Sequence, residues 1–258
     1  MIKYKKKKKN KEERLMLRNI KKRIIILGNR MPFSPEKQSY FSEIEKLDWI
    51  YNNMMIEGSS LTKHQVEDML RGTMPQNILI EEPILIERLS FLIDKLYSFA
   101  EKSVKLDLSA ISYIHHILTG DEVESDYRKK HLIIHEWDYC AIHPADIPDE
   151  MASFEALLAE ANDADAMTEE CFEYAEKIHN NIVKVLPYGE KDGLLARVAA
   201  TYYLMEKGYP AVAPDVKEQE YNEKVEKTLK TGELQGFNEL LKKEVMDRLG
   251  LMIQLTAY

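Results

Sequence analysis

The stretch that decides the fold is Val185-Leu-Pro-Tyr-Gly-Glu-Lys-Asp-Gly-Leu-Leu-Ala-Arg197. One helix is predicted to end at Pro187, and a second to begin near Leu194. Because the free amides at the start of a helix carry partial positive charge, the loop between the helices is a candidate anion-binding site. Glycine and charged residues are also common in such loops for reasons of turn formation alone, and on these residues by themselves that interpretation is favoured.

Helical periodicity extends away from this loop in both directions. Apolar residues recur at three- and four-residue steps over 42–56, with Ser42 as the predicted cap, and a short helix opens at Thr62, where Gln65 completes a capping box. Gly120 is typical of a residue that ends a helix. Further helices are predicted over about 83–99, 108–118, 149–161, 168–185, 194–207, 217–230 and 234–249. The sequence therefore predicts a mainly α chain.

One segment favours β structure. Residues 131–147 are rich in β-branched and aromatic side chains and contain or adjoin prolines, which predicts an irregular β-hairpin. The segment holds His131, His135 and His143, but no second histidine follows His135 at the HExxH spacing of a zinc protease. We therefore interpret these histidines as local hydrogen-bonding groups and not as metal ligands.

The charge of the chain is divided unevenly. Its 36 Lys+Arg and 44 Asp+Glu give a net charge of −8, yet residues 1–23 hold 12 bases and two acids, a net +10. Residues 24–258 therefore hold 24 bases and 42 acids, a net −18, which disfavours nucleic acid as a partner of this body. The basic stretch is predicted to be a disordered, solvated tail, with attachment to anionic lipid or RNA as the functional alternative.

The remaining composition concerns compartment. No apolar run approaches the roughly 20 residues that a membrane-spanning helix needs, and no secretory signal follows the basic start. The two cysteines, Cys140 and Cys171, have no CxxC partner, which is typical of a reducing compartment. A cytoplasmic protein is the expectation.

The loop at 186–197 resembles the signature of the Fic/DOC (Fido) family, HPFx(D/E)GNGRxxR, whereas Walker A, G-x-G-x-x-G and G-x-S-x-G motifs are missing from the sequence. Five positions are kept or conservatively replaced: Pro187, Tyr188 in place of Phe, Glu190, Gly193 and Arg197. Three other stretches resemble family motifs in the same order, namely Asn53 to Gly58 (the inhibitory-helix motif (S/T)xxxE(G/N)), Ile114 to Ile134 (the entry to the flap) and Ala175 to His179. The resemblance spans about residues 40–245.

This resemblance implies a fold and a domain organisation. The expected fold is a Fido-type helical bundle with a small β-hairpin flap. A single domain over 24–258 would contain an inhibitory helix at about 42–57, the flap at about 132–147 and the motif loop at 186–197.

The resemblance also implies a chemistry. In the family, the motif loop binds the phosphates of a nucleotide with a divalent metal, and the histidine deprotonates a target hydroxyl that attacks the α-phosphate. AMP passes from ATP to the target, which the flap holds as an added strand. The implied cofactor is Mg-ATP, and the implied partner is a protein. The implied site residues are Glu190 as the metal carboxylate, Lys191, Asp192, Gly193 and Arg197 in the nucleotide loop, Glu57 as the inhibitory residue, and Trp137 and Tyr139 as target contacts.

The sequence departs from the signature where catalysis would occur. Leu186 stands at the position of the general base and cannot accept a proton, and His179 lies two helical turns away, about 10 Å by the helical rise. Asp192 places a carboxylate where phosphate oxygens would lie, and Leu194 removes a guanidinium, which Lys191 offsets in part. We therefore expect ordinary AMP transfer to be abolished, which leaves a nucleotide- or peptide-binding regulatory role.

Two other functions and one ambiguity stay open at this point. The chain could be an active nucleotidyl- or phosphotransferase that uses a different base or donor, or a non-catalytic structural module that forms homo-oligomers. Glu57 and Arg197 could form a lock that holds a closed state, or a structural salt bridge between two helices. The second interpretation is favoured, because a buried ion pair is costly to break.

Overall fold

The computed structural model of the protein describes residues 2–120, 126–232 and 236–257. In these ranges the chain forms ten α-helices and one antiparallel two-stranded sheet, which confirms the predicted mainly α fold with a small hairpin. The elements are α1 (Ile2–Gly28), α2 (Pro35–Ile56), α3 (Lys63–Leu70), α4 (Glu81–Glu101), α5 (Leu108–Thr119), β1 (Ile133–Ile134), β2 (Tyr139–Cys140), α6 (Ile147–Asp163), α7 (Glu169–Val185), α8 (Asp192–Glu206), α9 (Glu218–Thr231) and α10 (Phe237–Leu255). Within the described ranges, none of the helices is both long and apolar enough to cross a bilayer.

Local sequence signals place most of the helix ends. The Thr62 side chain accepts from the backbone N–H of Gln65 and completes the predicted capping box of α3, and Gly120 ends α5 in the left-handed conformation. The start of α2 differs from the prediction, because Ser34 and not Ser42 is its cap and Pro35 occupies the first turn. Residues 234 and 235, the predicted start of α10, lie outside the described residues.

The basic N-terminal stretch is helical over residues 2–23, where the sequence predicted a disordered tail. Helix α1 continues without a break past the predicted domain boundary at residue 24, and it packs against α10. Ile20 and Leu27 are buried, and the Arg30 guanidinium donates to the carbonyl of Ile253 at 2.6 Å. The second half of α1 has apolar residues at helical spacing, which the prediction from the charge run did not take into account. Lys and Arg also have high helix propensity, so a basic run is compatible with a helix.

Helix α8 occupies the centre of the molecule. All of its residues except Gly193 and Glu206 are buried, and it packs most closely against α7 and also against α4 and α5. The hydroxyls of Tyr202 and Tyr203 donate to the carbonyls of Val104 and Ala161 at 2.5 and 3.0 Å, so the polar atoms of its bulky residues have partners. Burial on every side places α8 in the core. This packing fixes the start of the helix, and thus the motif loop, in position.

Gly120 provides a test of the α5 boundary. Its φ is +70°, and a Cβ at this residue would lie 2.1 Å from Nη2 of Arg88, whose Nη1 donates to the Leu118 carbonyl. We expect Gly120→Ala to lower the free energy of unfolding by about 2 kcal/mol, from left-handed backbone strain and the displaced Arg88 bond. Urea unfolding measures the change. Gly72→Ala, which also has positive φ but open space around it, is the control for strain alone, and an equal loss there would contradict the Arg88 contribution.

Candidate functional site

The motif loop is held in an unusual backbone conformation. Leu186 ends α7 with a φ of 47°, and its N–H donates to the Ile182 carbonyl at 2.7 Å. Gly189 has a φ of 91°, and Lys191 has a φ of 57° immediately before α8. Positive φ at a leucine and a lysine is costly and persists only where the surroundings enforce it, so packing fixes this loop.

Asp192 takes the backbone amides that would face an anion. Its carboxylate accepts from the N–H of Gly189 at 2.6 Å and from that of Tyr188 at 3.2 Å. The side chain is only 4% exposed, and this burial raises the pKa of Asp192 to about 7, against the opposing effect of the two amides. The loop thus supplies its own anion at the position where the sequence predicts a phosphate.

Arg197 lies at the centre of the site and is 2% exposed. Its Nη2 donates to Oε1 of Glu57 at 2.7 Å, and its Nε donates to Oδ1 of Asn53 at 3.1 Å. The guanidinium also lies over the ring of Tyr221, 4.9 Å from the ring centre. The structure therefore brings Glu57 and Arg197 together, and it adds Asn53 and Tyr221 as partners of the guanidinium.

Glu57 is held by two cations. Lys191 donates to its Oε2 at 3.1 Å, whereas Arg197 donates to the other carboxylate oxygen. Burial raises the pKa of Glu57, but the charges of Arg197 and Lys191 outweigh it and bring this pKa below its ordinary value. The sequence identified Glu57 and Lys191 separately, and the structure joins them.

Histidine 179 is a buried structural residue in this arrangement. His179 is 1% exposed, its Nε2 lies 2.8 Å from the Tyr221 hydroxyl, and its ring stacks on that of Phe237. Burial lowers its pKa to about 3, so the ring is neutral at physiological pH. The same Tyr221 hydroxyl reaches the Gly193 carbonyl at 3.5 Å, which links His179 to the start of α8 only through another side chain.

The flap turns its aromatic residues toward the chain itself. Trp137 is 7% exposed, and its indole N–H donates to Asn222 on α9 at 2.8 Å. The Tyr139 hydroxyl donates to the Lys184 carbonyl on α7 at 2.9 Å. The sequence predicted both residues as target contacts, whereas the structure uses both to attach the flap to the body.

Arg128 connects the flap to the motif loop. Its guanidinium donates to four carbonyl oxygens, two at the end of α7, one just before the flap and one within it, and its backbone N–H donates to the Pro187 carbonyl at 2.8 Å. The four acceptors are Leu186 at 2.7 Å, Val185 at 3.1 Å, Lys130 at 2.8 Å and Ile142 at 2.7 Å. The only sequence signal for this role was the resemblance of the stretch from Ile114 to Ile134, which contains Tyr127-Arg128, to the family's entry to the flap.

These groups surround a cleft of about 260 Å³. Leu186 forms part of its wall and is 3% exposed, and the lining also includes Asp192, Lys191, Arg197 and Glu57. Leu194 also lines the cleft, although almost none of its surface is exposed to solvent.

The donors around the cleft do not fit a magnesium nucleotide. Magnesium requires oxygen ligands in octahedral geometry, but Glu190 is exposed and lies outside the cleft lining. Asp192 occupies the amides that would bind phosphate oxygens. In the described part of the chain, no group of three or more His, Cys, Asp or Glu side chains is arranged to hold a metal ion.

The pKa of Asp192 predicts a pH-dependent stability. A carboxyl with a pKa near 7 in the folded state and 3.8 when unfolded stabilises the fold fully below about pH 4, and this stabilisation is lost as the pH rises through about 7. We expect Asp192→Asn to flatten the profile, so that wild type loses at least about 1.4 kcal/mol relative to the variant between about pH 5 and pH 8. Urea unfolding at a series of pH values measures this, and parallel profiles would contradict it.

No family model matches the sequence. The structure is similar to that of a Fic domain containing signalling protein from Bacteroides thetaiotaomicron, with a TM-score of 0.76 and 20% identity over 93% of this chain and 98% of that chain. It is also similar to Fic-1 from C. elegans (TM-score 0.73, 20% identity, 95% of this chain and 72% of that chain). A Fic family protein from Desulfovibrio desulfuricans gives a TM-score of 0.67 at 16% identity over 94% of this chain and 75% of that chain. Helix α2, the flap hairpin and the loop over residues 186–197 thus belong to a chain that has the fold of the Fic domain proteins.

Proposed function

We propose that this chain is a regulatory binding protein built on the Fic fold and that it does not carry out ordinary AMP transfer. The observation that carries this proposal is Leu186, a hydrocarbon side chain in the cleft wall at the position where the resemblance expects a general base. His179 does not replace it, because that ring is buried, weakly basic and already bonded to Tyr221.

The ligand of the cleft is an anionic group of a nucleotide or of a peptide. Lys191 and Arg197 are the cations that face it, and both are paired with Glu57 in the closed state. A ligand therefore binds by exchanging with Glu57, and this exchange is the regulatory event. Since Glu57 lies at the end of α2, its release would reach the rest of the protein through that helix.

A second candidate function is an active transferase with another base. One observation favours it: Asp192 lines the cleft, and its pKa of about 7 suits proton abstraction near neutral pH. Against it, both carboxylate oxygens already accept from backbone amides. This candidate predicts activity that Asp192→Asn abolishes.

Labelled ATP separates the two candidates. Wild type and Glu57→Gly are incubated with ATP carrying the label on the α- or the γ-phosphate, with Mg²⁺ and with lysate proteins. The binding proposal predicts no label on any protein with either variant. Transfer of the α-phosphate label would overturn it, and loss of that transfer in Asp192→Asn would establish the second candidate.

Thermal shift measures binding directly. ATP, AMP and short peptides are each added to wild type and to Glu57→Gln, with Mg²⁺ or with EDTA. We expect at least one anionic ligand to raise the Tm, and to raise it more for Glu57→Gln, because this variant no longer neutralises the two cations. A complete lack of ligand-dependent shifts would favour the non-catalytic structural module instead.

A further inference from the structure

We infer that the cleft is a metal-free carboxylate site and that its occupant is an acidic side chain of an extended peptide. The inference rests on the proposed binding function and specifies its ligand. Glu57 serves as the internal model of that ligand, since its two carboxylate oxygens meet two different cations, Arg197 at 2.7 Å and Lys191 at 3.1 Å. A single carboxylate satisfies both.

The more deeply buried cation keeps its orientation when Glu57 leaves. Arg197 is bonded to Asn53 and lies over the Tyr221 ring, and neither contact involves Glu57. A guanidinium fixed in this way is preorganised, so an incoming carboxylate does not bear the entropic cost of ordering it.

Glu57 is the partner that can leave. Its side chain is 20% exposed, compared with 2% for Arg197. It follows the last residue of α2, where the helix dipole disfavours a negative charge, and Gly58 follows it with a φ of 82°.

The cleft is better suited to a carboxylate than to a nucleotide phosphate. The loop amides that would take phosphate oxygens are bonded to Asp192. The volume of about 260 Å³, with Glu57 in place, lies below the roughly 300–1,000 Å³ of pockets that bury a whole small molecule. Ile56, Ile134 and Leu186 supply apolar wall for the methylene stem of a glutamate.

The flap places a peptide beside the cleft. Ile133 pairs with Cys140, and the Ala141 N–H donates to the Leu132 carbonyl, so Ile133 occupies a non-hydrogen-bonded position of the hairpin. Its backbone N–H and C=O therefore point away from β2, and its side chain is 63% exposed. The next residue, Ile134, lines the cleft, so a strand added at this edge runs past the two cations.

The test uses three nine-residue peptides that differ only at the central residue, which is Glu, Gln or phosphoserine, with lysines at both ends. Each is titrated against Glu57→Gln in EDTA by calorimetry and by the fluorescence of Trp137, whose ring lies against Gly193 in the cleft. We expect the Glu peptide to bind about tenfold more tightly than the Gln peptide, and to bind wild type about tenfold more weakly than Glu57→Gln. The fluorescence change is expected to disappear in Trp137→Phe.

Two further variants make the outcome specific. Lys191→Met, on the partly exposed loop, is expected to weaken the Glu peptide about tenfold. Glu223→Gln removes an exposed carboxylate outside the cleft and is expected to change nothing. Equal affinity for Glu and Gln peptides, tighter binding of the phosphoserine peptide, or a requirement for Mg²⁺ would each overturn the carboxylate assignment. ATP binding without discrimination between the peptides would overturn the carboxylate assignment but leave the proposed binding function intact. AMP transfer would contradict both the carboxylate assignment and the proposed function.

Discussion

Arg197→Met is expected to lower the free energy of unfolding by about 3–5 kcal/mol, the range for removing one partner of a buried ion pair. The guanidinium is nearly inaccessible to water and has three partners, namely Glu57, Asn53 and the Tyr221 ring. Methionine fills part of the volume of the arginine side chain, but it donates no hydrogen bond to the side-chain amide oxygen of Asn53. Glu57 then keeps only its ion pair with Lys191. Urea unfolding with a constant m-value measures the loss.

Glu57→Gln is expected to cost much less, about 1–2 kcal/mol. Glutamine still offers an oxygen to Arg197, the position is partly exposed, and the guanidinium keeps Asn53 and Tyr221. The exposed pair of Arg71 with Glu67 is the matched control, and Arg71→Met is expected to change stability by less than about 1 kcal/mol.

The asymmetry between the two substitutions distinguishes the two interpretations of this ion pair. A lock has one fixed and one releasable partner, so its two single substitutions differ in cost. A structural salt bridge between two helices has two equally committed partners. If Glu57→Gln costs as much as Arg197→Met, the pair is structural, and exchange of Glu57 with a ligand is ruled out.

Local signals predicted most of the fold. The capping box at Thr62 and the left-handed glycine at Gly120 depend on a few adjacent residues, and the structure has both. The prediction of a disordered tail was wrong for residues 2–23, because it gave the charge of this segment more weight than its apolar spacing. That spacing stabilises the helix only because α10 covers the apolar face. The stability of this helix depends on its packing against α10, which no local sequence pattern indicates.

The candidate site was predictable in its residues but not in its contacts. Glu57 and Arg197 are 140 positions apart, and their pairing followed from the family resemblance alone. Nothing in the sequence indicates that Lys191 turns to Glu57 or that Asp192 turns back onto the loop amides. The partners of these side chains depend on backbone conformations such as the positive φ of Lys191. Only the folded chain imposes such conformations.

Those two unpredicted contacts change the meaning of the departures from the signature. On the sequence alone, Asp192 weakens phosphate binding by the loop, and Lys191 restores part of the positive charge at the same phosphate site. In the structure they act separately, because Asp192 neutralises the amides while Lys191 adds a second cation opposite Glu57. A chain whose body is strongly acidic therefore keeps its local positive potential in a side-chain pair, and side chains, unlike amides, can exchange one carboxylate for another.

Arg128→Ala is expected to destabilise the protein by about 3–4 kcal/mol and to release the flap from the motif loop. The guanidinium is bonded to four carbonyls, and a net loss of about 1 kcal/mol for each bond gives this magnitude. Hydrogen exchange distinguishes a local from a global effect, because amides of β1 and β2 should exchange faster than those of α8 at the same denaturant concentration.

Arg128→Lys tests whether geometry or charge is responsible. An ammonium has three donors on one atom and cannot reach carbonyls on both the flap and α7, so lysine should recover less than half of the lost stability. Lys129→Ala, at the exposed neighbouring position, is the control and should change little. Full recovery by lysine would mean that charge alone holds the flap. The outer edge at Ile133, where the peptide is expected to pair, belongs to this same flap. If Arg128→Lys recovers only part of the stability and also loses binding of the Glu peptide, then binding depends on the geometry of the flap as well as on the two cations.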